Sequence, residues 1–204
     1  MLKRRQTDSH LVLQNTCPRL PLIPRIYQAL YPALLGSNPA STSSASALPL
    51  ADPNKIVISG GSSGGYTVLA ALCLHPKVFS AACSRYGISE LTALAADSHK
   101  FESRYPLRLL GGSPEEVPEI YHNRSPLYMA DRIVAPVLIE QGDLDKVVPP
   151  NQSEGMVETI RRNGGADRVK YILFEGEGHG FRQAANKKRA LEEELKWYEE
   201  VFHM

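Results

Sequence analysis

Three short stretches of the sequence contain the residue types needed for nucleophilic catalysis. Residues 60–66, Gly-Gly-Ser-Ser-Gly-Gly-Tyr, place two serines in a glycine-rich turn; residues 141–149 contain two aspartates, and residues 175–181 contain a histidine between glycines. A serine hydroxyl attacks a carbonyl carbon when an imidazole accepts its proton and a carboxylate orients that imidazole. The three stretches therefore predict a Ser–Asp–His triad.

Two serines compete for the role of nucleophile, because both Ser62 and Ser63 fit the pattern Gly-x-Ser-x-Gly. Steric reasoning favours Ser62, which is nearer the end of the preceding apolar run and leaves Gly65 three residues later, where a following helix must pass close to a sheet. The other frame places the bulky Tyr66 there. Glycine-rich turns also bind phosphates, but this one lacks both the Gly-Lys-Ser/Thr and the Gly-x-Gly-x-x-Gly spacing.

The acid and the base follow in two later loops. Asp143 and Asp145 lie two residues apart, and spacing alone does not choose between them, since loop aspartates commonly stabilise turns. His179 has glycines on both sides, which leaves room for a substrate to approach. The histidines at 10, 75, 99, 122 and 203 follow no predicted strand and do not cluster at metal-ligand spacing. We therefore predict His179 as the general base and no metal site.

These loops must be positioned by an alternation of strands and helices that begins at residue 52. Strands are predicted at 55–59, 78–85, 136–141 and 169–174, and helices at 64–75, 151–163 and 183–202. Short helices beside the site are predicted within 88–130. In the last helix, Leu191, Leu195, Tyr198 and Phe202 fall on one apolar face. The alternation predicts an α/β fold with a parallel sheet covered on both faces, whose function lies beyond the carboxyl ends of the strands.

Composition bears on the partners and the cellular location of the protein. The chain has 204 residues, 43% of them hydrophobic, and a formal net charge of +1, which argues against nucleic-acid binding. It has no apolar run long enough for a membrane span, and its three cysteines form no disulfide framework, which favours a cytoplasmic location. Residues 1–50 hold five basic residues and one acidic residue, a weakly transit-like composition. We therefore expect a poorly ordered segment 1–51 and a catalytic domain 52–204.

From residue 52 to residue 202 the sequence resembles the catalytic domain of the prolyl oligopeptidase family of serine peptidases, nearest its acylaminoacyl-peptidase and dipeptidyl-peptidase-like branch. The matching stretches are 60–67, 86–91, 99–105, 124–126, 141–150 and 175–181. The resemblance implies an α/β-hydrolase-type three-layer sandwich, in which the triad follows the same Ser, Asp, His order. It also implies Ser62 as nucleophile, Asp145 as acid, His179 as base, the Ser63 N–H as oxyanion donor, a peptide or small acyl substrate, and no cofactor.

The sequence departs from the family pattern before its nucleophile. It contains neither the family's His-Gly-Gly-Pro turn, which helps form the oxyanion hole, nor a stretch long enough for its β-propeller. We therefore expect a sandwich without its N-terminal strands, self-association through the exposed edge of the nucleophile strand, and weak or no peptidase activity. A small carboxylesterase and a non-catalytic α/β-hydrolase scaffold remain alternatives. Candidate pocket residues, chosen for their sequence proximity to the triad, are Tyr66, Tyr86, Val147 and Phe181, with Phe101 and Tyr105.

Overall fold

All four predicted strands are present and pair in parallel in chain order. A computed structural model describes residues 52–97, 107 and 109–204. The expected disorder of segment 1–51 and the candidates Phe101 and Tyr105 lie outside those residues. The strands are β1 (Val57–Gly61), β2 (Ala81–Arg85), β3 (Val137–Gly142) and β4 (Val169–Phe174), in the order β1-β2-β3-β4.

Helices follow the strands as the alternation predicted. They are α1 (Ser63–Leu74), α2 (Leu91–Asp97), α3 (Pro118–Arg124), α4 (Pro150–Ile160) and α5 (Ala184–Phe202). The helix predicted at 151–163 continues beyond α4 into a looser turn, Arg161–Gly165, whose backbone leaves helical geometry at Asn163 and Gly164. The short helices expected within 88–130 are confirmed by α2, α3 and a 3-10 helix at Pro126–Arg132.

Strand β1 differs from its prediction, because the glycines expected to end it belong to it. Gly60 and Gly61 pair with the last two residues of β2. The start is also displaced, since Pro53–Lys55 form a 3-10 turn. Glycine is a weak strand former, but a neighbouring strand that supplies the backbone pairing overrides that preference.

Two apolar clusters make the fold a three-layer α/β sandwich. On one face of the sheet α1 and α4 pack on β2, β3 and β4, with Leu69, Ile139 and Met156 buried between them. On the other face α5 covers the sheet through Trp197, which packs with Phe174 and its neighbours. A third, smaller cluster joins α2 and α3. The fold predicted from the alternation of elements is therefore confirmed.

The apolar face predicted for α5 is wrong in part. Leu191 and Leu195 are 64% and 58% exposed, whereas Ala190 and Trp197 are buried against the sheet and Tyr198 packs beside them. The buried face is thus rotated away from the two leucines. Exposed single leucines are ordinary on a protein surface, so hydrophobic spacing alone could not fix the rotation of this helix.

Charges on the sheet explain that rotation. Arg85 and Lys170 lie on the face of the sheet that α5 covers, and each forms an ion pair with a glutamate of that helix: Glu194 for Arg85 and Glu193 for Lys170. A cation partly removed from water is costly unless it is paired. The helix therefore turns its glutamates toward the sheet.

Among the described strands, β1 has β2 as its partner on one side and lies at the edge of the sheet. Its first residue, Val57, is 39% exposed. Self-association through this edge stays a prediction. None of the helices in the described part of the chain is both long and apolar enough to cross a bilayer.

Candidate active site

Ser62 occupies the turn between β1 and α1 in a backbone conformation unusual for a residue with a side chain. Its φ is 57° and its ψ −123°. Such a conformation costs on the order of 1–3 kcal/mol and persists only where neighbours hold it. Here the Ser62 N–H donates to the Arg85 carbonyl at 3.0 Å, and the Ser62 carbonyl accepts from the Tyr66 N–H at 2.9 Å. The turn is therefore fixed on both sides of the serine.

Helix α1 then crosses the end of β2 at very short range, as expected at Gly65. A Cβ atom on Gly65 would lie 2.7 Å from the Gly87 Cα and 2.9 Å from the Arg85 carbonyl oxygen. Both neighbours are backbone atoms and cannot move aside like a flexible side chain. The steric reason for preferring the Ser62 frame is confirmed at this position.

Ser62, His179 and Asp145 form a continuous chain of short contacts. The Ser62 Oγ lies 2.8 Å from His179 Nε2, and His179 Nδ1 lies 2.8 Å from Asp145 Oδ2. With the imidazole proton on Nδ1, Nδ1 donates to the carboxylate and Nε2 accepts from the serine hydroxyl. Ser63, the competing serine, is exposed and begins α1. The arrangement can transfer a proton from a serine to a histidine and hold the resulting imidazolium.

Asp145 is a buried carboxylate whose acceptor sites are filled. It is 3% exposed, and its Oδ1 accepts the backbone N–H groups of Val147 and Val148, both at 2.9 Å. The other oxygen faces His179, with the Gln141 amide 3.4 Å away. A carboxylate held by backbone donors is stable away from water and keeps a fixed orientation.

Asp143 has a different part in the same loop. Its Oδ1 accepts the Gly176 N–H at 2.7 Å, and the neighbouring Leu144 N–H donates to the Glu177 carbonyl at 2.9 Å. A Cβ on Gly142 would lie only 2.4 Å from that same carbonyl oxygen. Asp143 thus joins the aspartate loop (141–149) to the histidine loop (175–181), whereas Asp145 is the aspartate that contacts His179.

A row of aromatic rings begins beside the imidazole. The Tyr86 ring meets His179 edge-on with 5.0 Å between centroids, and it meets Phe181 in the same way at 5.3 Å. Phe181 is buried and packs on Phe174 at 4.5 Å, so it belongs to the core beneath the site. Tyr86 has a φ of 38°, a second strained non-glycine residue close to the turn. These contacts restrict the positions open to the imidazole.

The other two pocket candidates, Tyr66 and Val147, pack in different surroundings. The Tyr66 hydroxyl donates to the Arg124 carbonyl at 2.9 Å and its ring packs on the α2–α3 cluster. Val147 is half-buried and is held by its N–H bond to Asp145. A substrate-binding role for Tyr66, Tyr86, Val147 and Phe181 stays a prediction.

An ion-pair network lies under the end of β2, behind the nucleophile turn. Arg85 Nε contacts Glu140 Oε2 at 2.8 Å and Arg85 Nη2 contacts Glu194, which also accepts from the Tyr198 hydroxyl at 2.8 Å. Burial raises the pKa of Glu140 to about 7, although the Arg85 charge acts in the opposite direction. Its second oxygen, Oε1, is buried and has no hydrogen-bond partner.

Sequence reasoning missed three buried polar residues in or next to the elements that carry the site: Gln141, Glu177 and Glu140. Gln141 donates to the Val148 carbonyl and accepts from the Ser153 hydroxyl, which fixes the aspartate loop. Polar residues inside an apolar strand were the available signal for Gln141 and Glu140, since buried polar groups need partners. In the described residues no cluster of three or more histidine, cysteine or acidic side chains is arranged to bind a metal ion.

Comparison with known proteins identifies the family of the chain. A sequence model of the prolyl oligopeptidase family matches residues 40–204. The chain belongs to the prolyl oligopeptidase family. This family member is 33% identical to dipeptidyl peptidase family member 6 of Caenorhabditis elegans over 142 residues. The aligned residues cover 67% of the chain and 19% of that relative.

Solved structures extend the similarity to the fold of this family member. A puromycin-hydrolyzing peptidase of Mycobacterium tuberculosis is 45% identical with a TM-score of 0.68, covering 74% of the chain and 22% of that protein. A puromycin hydrolase is 41% identical with a TM-score of 0.70, covering 76% and 23%. The chain therefore spans about a fifth of the length of these relatives.

Proposed function

We propose that the chain is the catalytic part of a serine-type peptidase that hydrolyses short peptides, or acylated and aminoacyl peptides, through an acyl-enzyme on Ser62. The observation that carries the proposal is the pair of 2.8 Å contacts that links Ser62 Oγ, His179 and Asp145 Oδ2. Family membership and peptidase relatives support the same reaction class.

The acylation step follows from these contacts. The Ser62 Oγ forms a bond to the scissile carbonyl carbon while its proton passes to His179 Nε2. Asp145 stabilises the imidazolium through the Nδ1–H bond. His179 then gives that proton to the leaving amine as the C–N bond breaks. Water completes the cycle: His179 takes one of its protons, the hydroxyl attacks the acyl carbon, and the released Ser62 oxygen recovers a proton.

The tetrahedral intermediate needs donors for its oxyanion, and we assign one to the Ser63 N–H. Helix α1 begins at Ser63, so this N–H has no partner inside the helix and lies at the positive end of its dipole. It is the one oxyanion donor that we assign among the described residues, 52–97 and 109–204. Removing one donor of an oxyanion hole costs about 100- to 1,000-fold in rate, so we expect slow peptide hydrolysis by this chain alone.

The single assigned donor favours a second candidate, a small carboxylesterase. Activated esters expel their leaving group easily and depend less on oxyanion stabilisation than amides do. An aryl ester would then be hydrolysed by the same triad where a peptide anilide is not. A third possibility, a scaffold without catalysis, requires that Ser62 does not react in folded protein.

A fluorophosphonate probe tests the proposal, because it reacts with a serine only when the serine is activated. We expect labelling of the wild type, loss of labelling in Ser62→Ala, and retention in Ser63→Ala, which keeps the backbone N–H. Hydrolysis of p-nitrophenyl acetate and of an aminoacyl p-nitroanilide should fall more than about a thousand-fold in Ser62→Ala. Folded wild type that stays unlabelled would support the scaffold. Ester hydrolysis without anilide hydrolysis would support the esterase.

A further inference from the structure

The loop that carries His179 is closed by one buried carboxylate. Glu177 is 1% exposed. Its Oε2 accepts the Arg182 N–H at 2.8 Å, and its Oε1 accepts the Gln183 N–H at 3.0 Å and the Asn186 side-chain amide at 3.0 Å. The side chain of Glu177, which precedes His179, thus binds backbone N–H groups that follow His179, just before α5.

The backbone of the same residue binds the other side of the site. The Glu177 carbonyl accepts the Leu144 N–H at 2.9 Å, one residue before Asp145. The histidine itself has a glycine on either side, and glycine gives a loop little rigidity of its own. Glu177 is therefore where the aspartate loop, the histidine loop and the start of α5 are joined.

The charge of the carboxylate suits this arrangement. Burial acts to raise the pKa of Glu177, but the hydrogen bonds from Arg182, Asn186 and Gln183 together with the Lys187 charge lower it. An ionised carboxylate only accepts hydrogen bonds, and here three donors surround it. A glutamine in its place would direct its own NH2 group at one of these donors.

We propose that Glu177 is a positioning residue for the proposed reaction: its carboxylate holds the 177–183 loop so that His179 reaches both Ser62 and Asp145. The proposal rests on the proposed function for its rate consequence. The position of the His179 imidazole, by contrast, can be measured without turnover.

The test compares Glu177→Gln with Glu175→Gln, the same change at an exposed glutamate two residues earlier. We expect Glu177→Gln to slow fluorophosphonate labelling about 10- to 100-fold in folded protein, because small displacements of a base have large effects on rate. Ester hydrolysis should lose kcat with KM little changed. Glu175→Gln should behave as the wild type. Should Glu177→Gln fail to fold, Asn186→Ala removes one donor, and we expect a smaller loss in the same direction.

An NMR measurement separates this proposal from the proposed function. The His179 Cε1–H resonance should change in chemical shift and line width in Glu177→Gln, and not in Glu175→Gln. If the wild type is not labelled, the proposed function fails, and this resonance still decides the role of Glu177. A folded Glu177→Gln that melts at a lower temperature but keeps the wild-type resonance, labelling rate and kcat would reduce Glu177 to a structural residue and overturn the proposal.

Discussion

The contact between Gly142 and the histidine loop gives a sharp prediction for Gly142→Ala. The added Cβ would lie 2.4 Å from the Glu177 carbonyl oxygen, where ordinary contact begins at 3.4 Å. Nearby atoms at 2.8 and 3.0 Å, the Glu177 carbonyl carbon and the Gly178 oxygen, also belong to the backbone. The loop must therefore move by about 1 Å, and a displacement of that size at a catalytic group can cost about 100-fold in rate.

The rate of fluorophosphonate labelling measures this loss directly, and circular dichroism confirms that the variant is folded at the assay temperature. Overpacking should also lower the free energy of unfolding by about 1–3 kcal/mol. Gly155→Ala is the matched control, because the nearest atom to its new Cβ is the Leu127 Cδ1 at 4.0 Å, and alanine is favoured over glycine within a helix such as α4. Labelling of Gly142→Ala at the wild-type rate would refute the argument that this close approach positions His179.

Three further predictions concern packing and charge. Gly65→Ala should lower the melting temperature strongly, because the new Cβ meets the Gly87 backbone at 2.7 Å; an unchanged melting curve would contradict this. Trp197→Ala should lower the free energy of urea unfolding by about 3–5 kcal/mol, whereas Leu195→Ala should stay within about 0.5 kcal/mol of the wild type; equal losses would mean that the buried face of α5 is misassigned. The folded-state pKa of Glu140, about 7, lies above its ordinary value of 4.5, so the protonated form is favoured by folding. The stability of the wild type relative to Glu140→Gln should therefore fall as the pH rises from 4.5 to about 7. The change should be on the order of 1–3 kcal/mol between pH 4 and pH 8 in urea titrations, and a rise would have the wrong sign.

Features set by local sequence were the predictable part of the fold. Strand β4 was predicted with its observed bounds, because a short run of mostly apolar, β-branched and aromatic residues lies there between turn-forming segments. The Ser62 frame followed from sterics, since only glycine fits where α1 crosses β2. The loops after three strands were placed at one edge by the parallel topology, and there Ser62, Asp145 and His179 lie in contact.

Features set by distant neighbours could not be predicted in this way. Asp143 and Asp145 are equivalent by spacing, and the loop that packs against them distinguishes the two. The rotation of α5 depends on cations from two strands, which hydrophobic spacing does not register. Glu177 lies in a glycine-rich loop that gives no local sign of burial, and its three donors come from residues five to nine positions later.

The sequential order of the strands has a consequence for how the protein folds. Each of the four described strands pairs with its neighbour along the chain, so this sheet can grow from one end as successive segments arrive. The hydrogen bond from Ser62 to His179, by contrast, joins residues 117 positions apart and needs the last strand in place. Closing so long a loop is entropically costly until the intervening elements have formed. We therefore expect reactivity at Ser62 to develop late in refolding, after the secondary structure, which would make a covalent probe of this serine a reporter of the final folding step.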